Sequence, residues 1–323
     1  MRGSGRPRFG TTLVAAVLVA SAGTAALSQS GETIRLILPF PPGGPADVMT
    51  RVVAEQIGAA GGPSMVIESH PGAATEIGTE YVYRSEPDGN TLGIISNSFV
   101  TLPHLRKLKY NPLTDFAPIC DLADFPPLIA VNSTSPYHKL ADLIDAARAQ
   151  PGKLTLGSIG PGSSSQMTFE MLKREAKANI TFVPFTGYTP AIQALLGNQI
   201  TSAIADLASL QGQLQSGQLR ALATTTAKRI ETLPNLPTVS ESGYDVQQQF
   251  FGGVVAPART PKEKVANLIK IFSAALQNKE IRTKFVSYGY FPAGACGADY
   301  AAILRKDYDD YGKIIQETGM KME

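Results

Sequence analysis

Residues 34–57 read I-R-L-I-L-P-F-P-P-G-G-P-A-D-V-M-T-R-V-V-A-E-Q-I. The opening Ile34–Phe40 is a short apolar run of strand length. The closing Ala46–Ile57 puts Val48, Val52, Val53 and Ile57 on one side of a helix. Between them lies the loop Pro39–Asp47, with two glycines among prolines. Glycine lets backbone N–H groups approach a ligand closely, and proline fixes the loop shape. The helix N-terminus that follows favours an anion through its free N–H groups and its dipole. No Lys-Ser or Lys-Thr follows the glycines, so this is not a phosphate-binding P-loop. The plain alternative is a tight turn in which Asp47 caps the helix.

The same strand–loop–helix unit recurs outward along the chain. Strands are expected at Met65–Glu68, Thr91–Ser96 and Leu128–Val131, with helices at Ile77–Arg84 and Leu140–Ala149. A second series then begins. Its strands are Leu154–Ser158, Thr181–Pro184, Ile200–Ala205 and Leu219–Thr224, and its helices begin near Ser165, Pro190 and Leu207. A Pro-rich stretch, Leu233–Val239, precedes a strand at Phe251–Ala256 and a helical C-terminal region. Alternation of this kind predicts mostly parallel sheets covered by helices. Two series in 323 residues predict two doubly wound α/β domains.

Residues 1–10 carry Arg2, Arg6 and Arg8 without an acid, and residues 11–27 are apolar and small. This is the form of a secretory signal peptide, with cleavage expected near Ser28 and a periplasmic destination. The chain holds 29 basic and 27 acidic residues; without residues 1–28 the balance is 26 to 27, a net of −1. Such a charge gives no footprint for nucleic acid. Cys120 and Cys296 can pair in an oxidising compartment, but their pairing is not decidable from sequence. With two distant cysteines and three scattered histidines (His70, His104, His138), no metal motif forms and no cofactor is expected.

Other expected strand ends carry similar loops: Pro71–Thr75, Ser96-Asn97-Ser98, and Gly157–Gln166 (G-S-I-G-P-G-S-S-S-Q). Four such loops predict a polar cavity lined by uncharged donors, because ligands in open α/β sheets sit outside the carboxyl ends of strands. Asp206 ends its strand at the same rim, as a ligand acceptor or as the N-cap of the next helix. Ser163–Ser165 lacks a nucleophile elbow, and no histidine accompanies a serine in a catalytic pattern. His70 and Phe250-Phe251 are weaker candidates, read equally well as solvated and core residues.

A series of collinear motifs then identifies a family resemblance. P-G-A at Pro71–Ala73, I-G-T-E at Ile77–Glu80, P-D-G at Pro87–Gly89 and D-F-A-P at Asp115–Pro118 follow the Pro-Gly loop. P-G-K-L at Pro151–Leu154, L-R-A-L-A at Leu219–Ala223, A-K-R at Ala227–Arg229 and L-P-x-x-P-T-V at Leu233–Val239 continue it. The chain resembles the Bug proteins, extracytoplasmic receptors of tripartite tricarboxylate transporters. The resemblance implies a two-domain binding protein of the type II periplasmic class. Domain 1 would comprise residues 29–128 with 226–323 and domain 2 residues 129–225, with hinges near Leu128–Val131 and Thr224–Thr226. It implies a carboxylate held by Pro41, Gly43, Gly44, Asp47, Ala73, Ser158, Gly162, Ser163, Ser164 and Asp206. Thr75, Ser96, Asn97 and Gly187 complete the candidate set. Implied partners are a large and a small integral membrane permease subunit, with a membrane sensor kinase as the alternative, and the receptor itself is expected to be a monomer and not an enzyme.

Several positions depart from the family pattern. N-R-P-G-A-G-G-N is common where this chain has Ser69–Glu76, so His70 replaces an Arg and Thr75 a Gly. Gln166 stands where His is common, and Thr186 where P-Y-K-G has Lys. Asp206-Leu207 replaces D-N, and Phe250-Phe251-Gly252 replaces W-F-G. Fewer cationic groups imply fewer ligand charges, or one carboxylate held by neutral donors.

Overall fold

The structure is a computed structural model that describes residues 33–321 together with Met1 and Gly3. The expected signal peptide thus lies, apart from those two positions, outside the described residues. Among the described residues no helix is long and apolar enough to cross a membrane.

The first half of the chain runs β1 (Ile34–Leu38), α1 (Pro45–Ala59), β2 (Met65–Ser69), α2 (Glu76–Arg84), β3 (Thr91–Ser96), α3 (Ser98–Leu105) and β4 (Phe116–Phe125). There follow β5 (Pro127–Asn132), α4 (Leu140–Ala149), β6 (Thr155–Ile159), α5 (Ser164–Glu175), β7 (Thr181–Phe185) and α6 (Tyr188–Leu196). Next come β8 (Ser202–Asp206), α7 (Leu207–Gln215), β9 (Leu219–Thr224) and β10 (Phe250–Pro257). The chain closes with α8 (Lys262–Leu276), α9 (Lys279–Ser287), β11 (Phe291–Pro292) and α10 (Ala298–Thr318).

Two sheets result, one in each lobe. Sheet 1 has the order β11-β4-β10-β3-β1-β2, and sheet 2 the order β7-β6-β8-β5-β9. The mixed α/β two-sheet architecture is the expected one, but the sheets are less parallel than expected. β1 pairs in parallel with β2 and β3, and β6 with β7 and β8. β10, however, runs antiparallel to β3 and β4, and β5 antiparallel to β8 and β9. The reason is connectivity: β4 passes almost directly into β5, and β9 reaches β10 through residues 225–249, in each case a strand of the other sheet entered without a helical crossover.

That connectivity fixes the position of the cleft. Phe125, the end of β4, pairs with Phe250, and Gly252 pairs with Ser96, the end of β3. Pro127, the start of β5, pairs with Asp206, the end of β8. Only Pro126 separates β4 from β5, so the carboxyl edges of the two sheets face each other. Leu128–Val131 lies within β5, buried and paired on both sides. The change of sheet falls at Pro126, and the two crossings are tied together. Thr224 Oγ1 and Thr225 N donate to Pro127 O at 3.0 and 3.2 Å, and Gln248 N donates to Thr225 O at 2.7 Å.

Three elements escaped the sequence reading: β4, α3 and the two-residue β11. β4 reads F-A-P-I-C-D-L-A-D-F, whose Pro118, Asp121 and Asp124 hide a buried strand. α3 carries Pro103 within eight residues. Cys120 of β4 is bonded to Cys296, which settles the pairing that the sequence left open. Beside it, a Cβ on Gly253 would lie 1.9 Å from Tyr300 Oη, so β10 admits only glycine where α10 crosses it.

Candidate functional site

Five helices start directly after strands that end on the facing edges. α1 and α3 follow β1 and β3 in lobe 1; α5, α6 and α7 follow β6, β7 and β8 in lobe 2. The first-turn N–H groups of each have no carbonyl partner within their own helix. Their dipoles place positive ends at the carboxyl ends of these strands.

In the first loop, Gly44 is the N-cap of α1 and Pro45 its first residue, where a missing N–H costs nothing. Gly43 adopts φ +82°. Its N–H, expected to be free for a ligand, donates to Asp47 Oδ2 at 2.8 Å. Asp47 is buried and also pairs with Arg51, whose Nη2 lies 3.0 Å from Oδ1. Pro41 is exposed at the loop tip. The second loop winds through positive φ at Gly72, Ala73, Ala74 and Thr75. Arg106, the C-cap of α3, fixes it by donating to Ala73 O at 2.6 Å and pairing with Glu76. His70 sits outside this arrangement, against the Tyr81 ring at 4.5 Å and 3.6 Å from Glu68.

After β3, the half-buried Ser96 leads into Asn97, whose side chain is fully occupied. Its Nδ2 donates to Gln249 O at 3.0 Å and to Tyr311 Oη at 2.8 Å, and its Oδ1 accepts from Phe251 N at 3.2 Å. Asn97 thus locks β3, β10 and α10 together instead of presenting an amide to the cleft.

The lobe 2 loop repeats the device of the first. Gly162 has φ +79°, and its N–H donates to Gln166 Oε1 at 2.9 Å. Ser163 is the N-cap of α5. Its Oγ donates to Ile159 O at 2.8 Å and accepts from Gln166 N at 3.2 Å. Ser158 is fully buried and donates to Ile204 O on the neighbouring strand at 2.5 Å. Its side chain therefore stitches β6 to β8. Ser164, half-buried at the start of α5, and Gly187, the N-cap of α6, stand at the facing edge.

Asp206 caps α7, accepting from Ser209 N at 2.7 Å. Burial pushes its carboxyl up to about 6, only partly offset by that hydrogen bond. Two tyrosines unnoticed in the sequence sense its charge: Tyr188 from α6 and Tyr290 from the segment after α9. Burial, with the Asp206 charge second, raises both phenols above the usual tyrosine range.

The lobes already touch across the cleft. Thr101 Oγ1 of α3 donates to Gly162 O at 3.4 Å. Met167 of α5 packs with Phe99 and Val100 of α3. Arg174 of α5 pairs with Glu317 of α10 at 2.8 Å. Thr101 gave no signal in the sequence, because a threonine inside the apolar S-F-V-T-L reads as core. The Pro-Gly loop, the Asn97 turn, the Gly-Ser loop, Gly187 and Asp206 all lie at the carboxyl ends of strands, while the side chains of Ser158, Ser163 and Asn97 are occupied by structural bonds. Among the described residues no group of three or more His, Cys, Asp or Glu is arranged to hold a metal ion.

A model of the tripartite tricarboxylate transporter family receptor matches residues 49–320. The protein BugT of Bordetella pertussis is 30% identical over 320 residues, covering 96% of this chain and 98% of BugT. Among solved structures, R. palustris Rpa4515 with adipate superposes with a TM-score of 0.84 at 30% identity, covering 90% of this chain and 98% of that one. MatC (Rpa3494) from Rhodopseudomonas palustris with bound malate gives 0.79 at 26% identity, covering 88% and 98%.

Proposed function

Because the chain belongs to the tripartite tricarboxylate transporter receptor family, a family of solute-binding receptors and not of enzymes, we propose that it captures a small organic acid between its lobes and presents the closed form to membrane permease subunits in the periplasm. What supports the reading is that five helices begin at the strand ends of the facing edges, α1 and α3 in lobe 1 and α5, α6 and α7 in lobe 2. Oriented N–H groups favour a carboxylate there with no proton to be moved. The adipate held by Rpa4515 and the malate held by MatC agree with an acid as ligand.

The domain roles follow from the two crossings. Residues 34–125 and 250–318 build one lobe, and residues 127–224 the other. Rotation about Pro126 and the segment after Thr224 would open the contact between Thr101 and Gly162. Closure would bury the ligand, and each hydrogen bond to it strengthens as water leaves. In this reading the donors are the first-turn N–H groups at Ala46, Ser98, Ser164 and Ser165, with the Ser164 hydroxyl. Gly43, Gly162 and Asp47 shape the loops rather than hold the acid.

The departures at His70, Gln166 and Thr186 favour one carboxylate in the cleft over three. Titration calorimetry with hexanoate, adipate and citrate tests this. A mono- or dicarboxylate should bind most tightly, each without turnover. A much tighter citrate complex would refute the neutral-donor reading, and chemical conversion of the acid would refute the receptor.

A further inference from the structure

A cavity of about 720 Å³ lies beneath α10, apart from the cleft loops. Its polar end is made by Asp121 and Asp124 of β4, Asp307 of α10, and Gln248. Phe251, Ala293, Ala295, Ile303 and Ile314 give it an apolar wall, and the charged side chains of Lys306, Asp310, Lys313 and Glu317 also line it. The volume is that of a small-molecule site. Two side chains on its wall are more than nine-tenths buried yet incompletely partnered. Asp121 Oδ1 accepts no hydrogen bond, and Gln248 Nε2 donates none, although Gln248 Oε1 accepts from Tyr311 Oη at 3.1 Å. An unpartnered buried polar atom is costly, so both atoms call for a missing partner. One requires a donor and the other an acceptor.

We propose that this cavity is a second ligand site, which takes a small organic cation that also carries a hydroxyl, of the amino-alcohol class. The ammonium would sit among the three carboxylates, the oxygen would accept from Gln248 Nε2, and the carbon chain would lie along the apolar wall. The local cations fill this role only in part: the Lys306 charge acts on Asp307 and partly offsets its burial. Lys306 and Lys313 are largely exposed at the rim and pair with Asp310 at 2.6 and 3.8 Å, while Glu317 pairs outward with Arg174. Burial and like-charge neighbours raise Asp121 to about 8, and burial first of all raises Asp124 and Asp307 to about 6. The phenols facing this group, Tyr300 and Tyr311, are held neutral by burial. A bound ammonium would therefore expel protons from the acids.

The site is also placed to communicate with the hinge. Gln248 is bonded through its backbone to Thr225, and Tyr311 bridges it to Asn97 at the cleft edge.

The test is calorimetry on the exported chain with 4-aminobutan-1-ol, butan-1-ol and butyrate, in two buffers of different ionisation enthalpy at pH 7. Binding of 4-aminobutan-1-ol alone among the three, with proton release and a raised melting temperature, is the expected result. Asp121→Asn and, separately, Asp307→Asn should abolish that binding and leave acid binding in the cleft unchanged. Asp121→Asn should fold at least as stably as the parent, since it removes a buried unpaired acid. No binding of the amine at millimolar concentration, or equal binding by Asp121→Asn and Asp307→Asn, would overturn the proposal and leave the cavity to water. Because adipate titration is run on the same samples, failure here is distinguishable from failure of the receptor reading.

Discussion

The loops at Gly43 and Gly162 are built alike on opposite lobes. Each places a glycine at positive φ just before a helix and ties its N–H to a side chain four residues on. The difference is the charge of the tie: Asp47, backed by Arg51, in lobe 1 and the neutral Gln166 in lobe 2. A helix N-terminus can favour only one anion at a time. In lobe 1 part of that field is already answered by a resident carboxylate, whereas in lobe 2 it is left for the ligand. On the proposed reading, α5 would supply most of the attraction for the acid and α1 mainly shape.

The largest effect should come from making the loops alike in charge. Gln166→Glu keeps an acceptor for Gly162 N–H but adds an anion beside the ligand. Two like charges about 7 Å apart in a partly buried cleft repel by about 2 kcal/mol, so acid affinity should fall about tenfold or more by calorimetry. Unchanged affinity would break the asymmetry. Next is Asp206. Its pKa is raised in the folded state to about 6, so the stability linked to its proton is present below the unfolded value near 4 and is lost as pH rises through about 6. Acid affinity should follow the same direction, dropping about fivefold from pH 5 to 8 as the ionised Asp206 repels the ligand. Asp206→Asn should flatten that profile, and a profile unaltered by it would remove Asp206 from the cleft's electrostatics.

Smaller effects sharpen the contrast further. Asp47→Asn retains the bond from Gly43 but removes the resident charge, and should raise affinity about threefold, since the α1 N-terminus is then free to act on the ligand. A loss of affinity would instead mean that Asp47 serves the ligand directly. Thr101→Val removes one long cross-lobe hydrogen bond at nearly constant volume. It should weaken binding only about twofold, consistent with a net contribution of about 0.5 kcal/mol.

Much of this architecture was legible because its units obey local rules. β1 and α1 announce themselves by an apolar run, Pro45 at the first helical position and a buried stripe at Met49, Val52, Val53 and Ile57. The stripe centres on Met49 rather than Val48, a shift of one residue that periodicity does not resolve. β4 was illegible for a physical reason. Its acids are buried against α10 with raised pKa values, so the strand breaks the rule that buried positions are apolar. The mixed sheets were hidden because strand direction depends on which sheet receives the next strand, and Pro126 alone does not reveal the change. Glycine and serine positions marked the loops that follow the strands. Occupancy was not readable, because the partners of Asn97 and Ser158 lie 152 and 46 residues away. The positive φ values at Ala73–Thr75 were equally invisible, since none of these residues favours that conformation.

The most direct test is a titration of the isotope-labelled protein with adipate, followed by its backbone amide resonances. Ala46 and Ser98 in lobe 1 and Ser164 and Ser165 in lobe 2 should move together, with one dissociation constant and the larger displacements in lobe 2. Shifts confined to a single lobe, or to the walls of the cavity beneath α10, would contradict capture between the two loops.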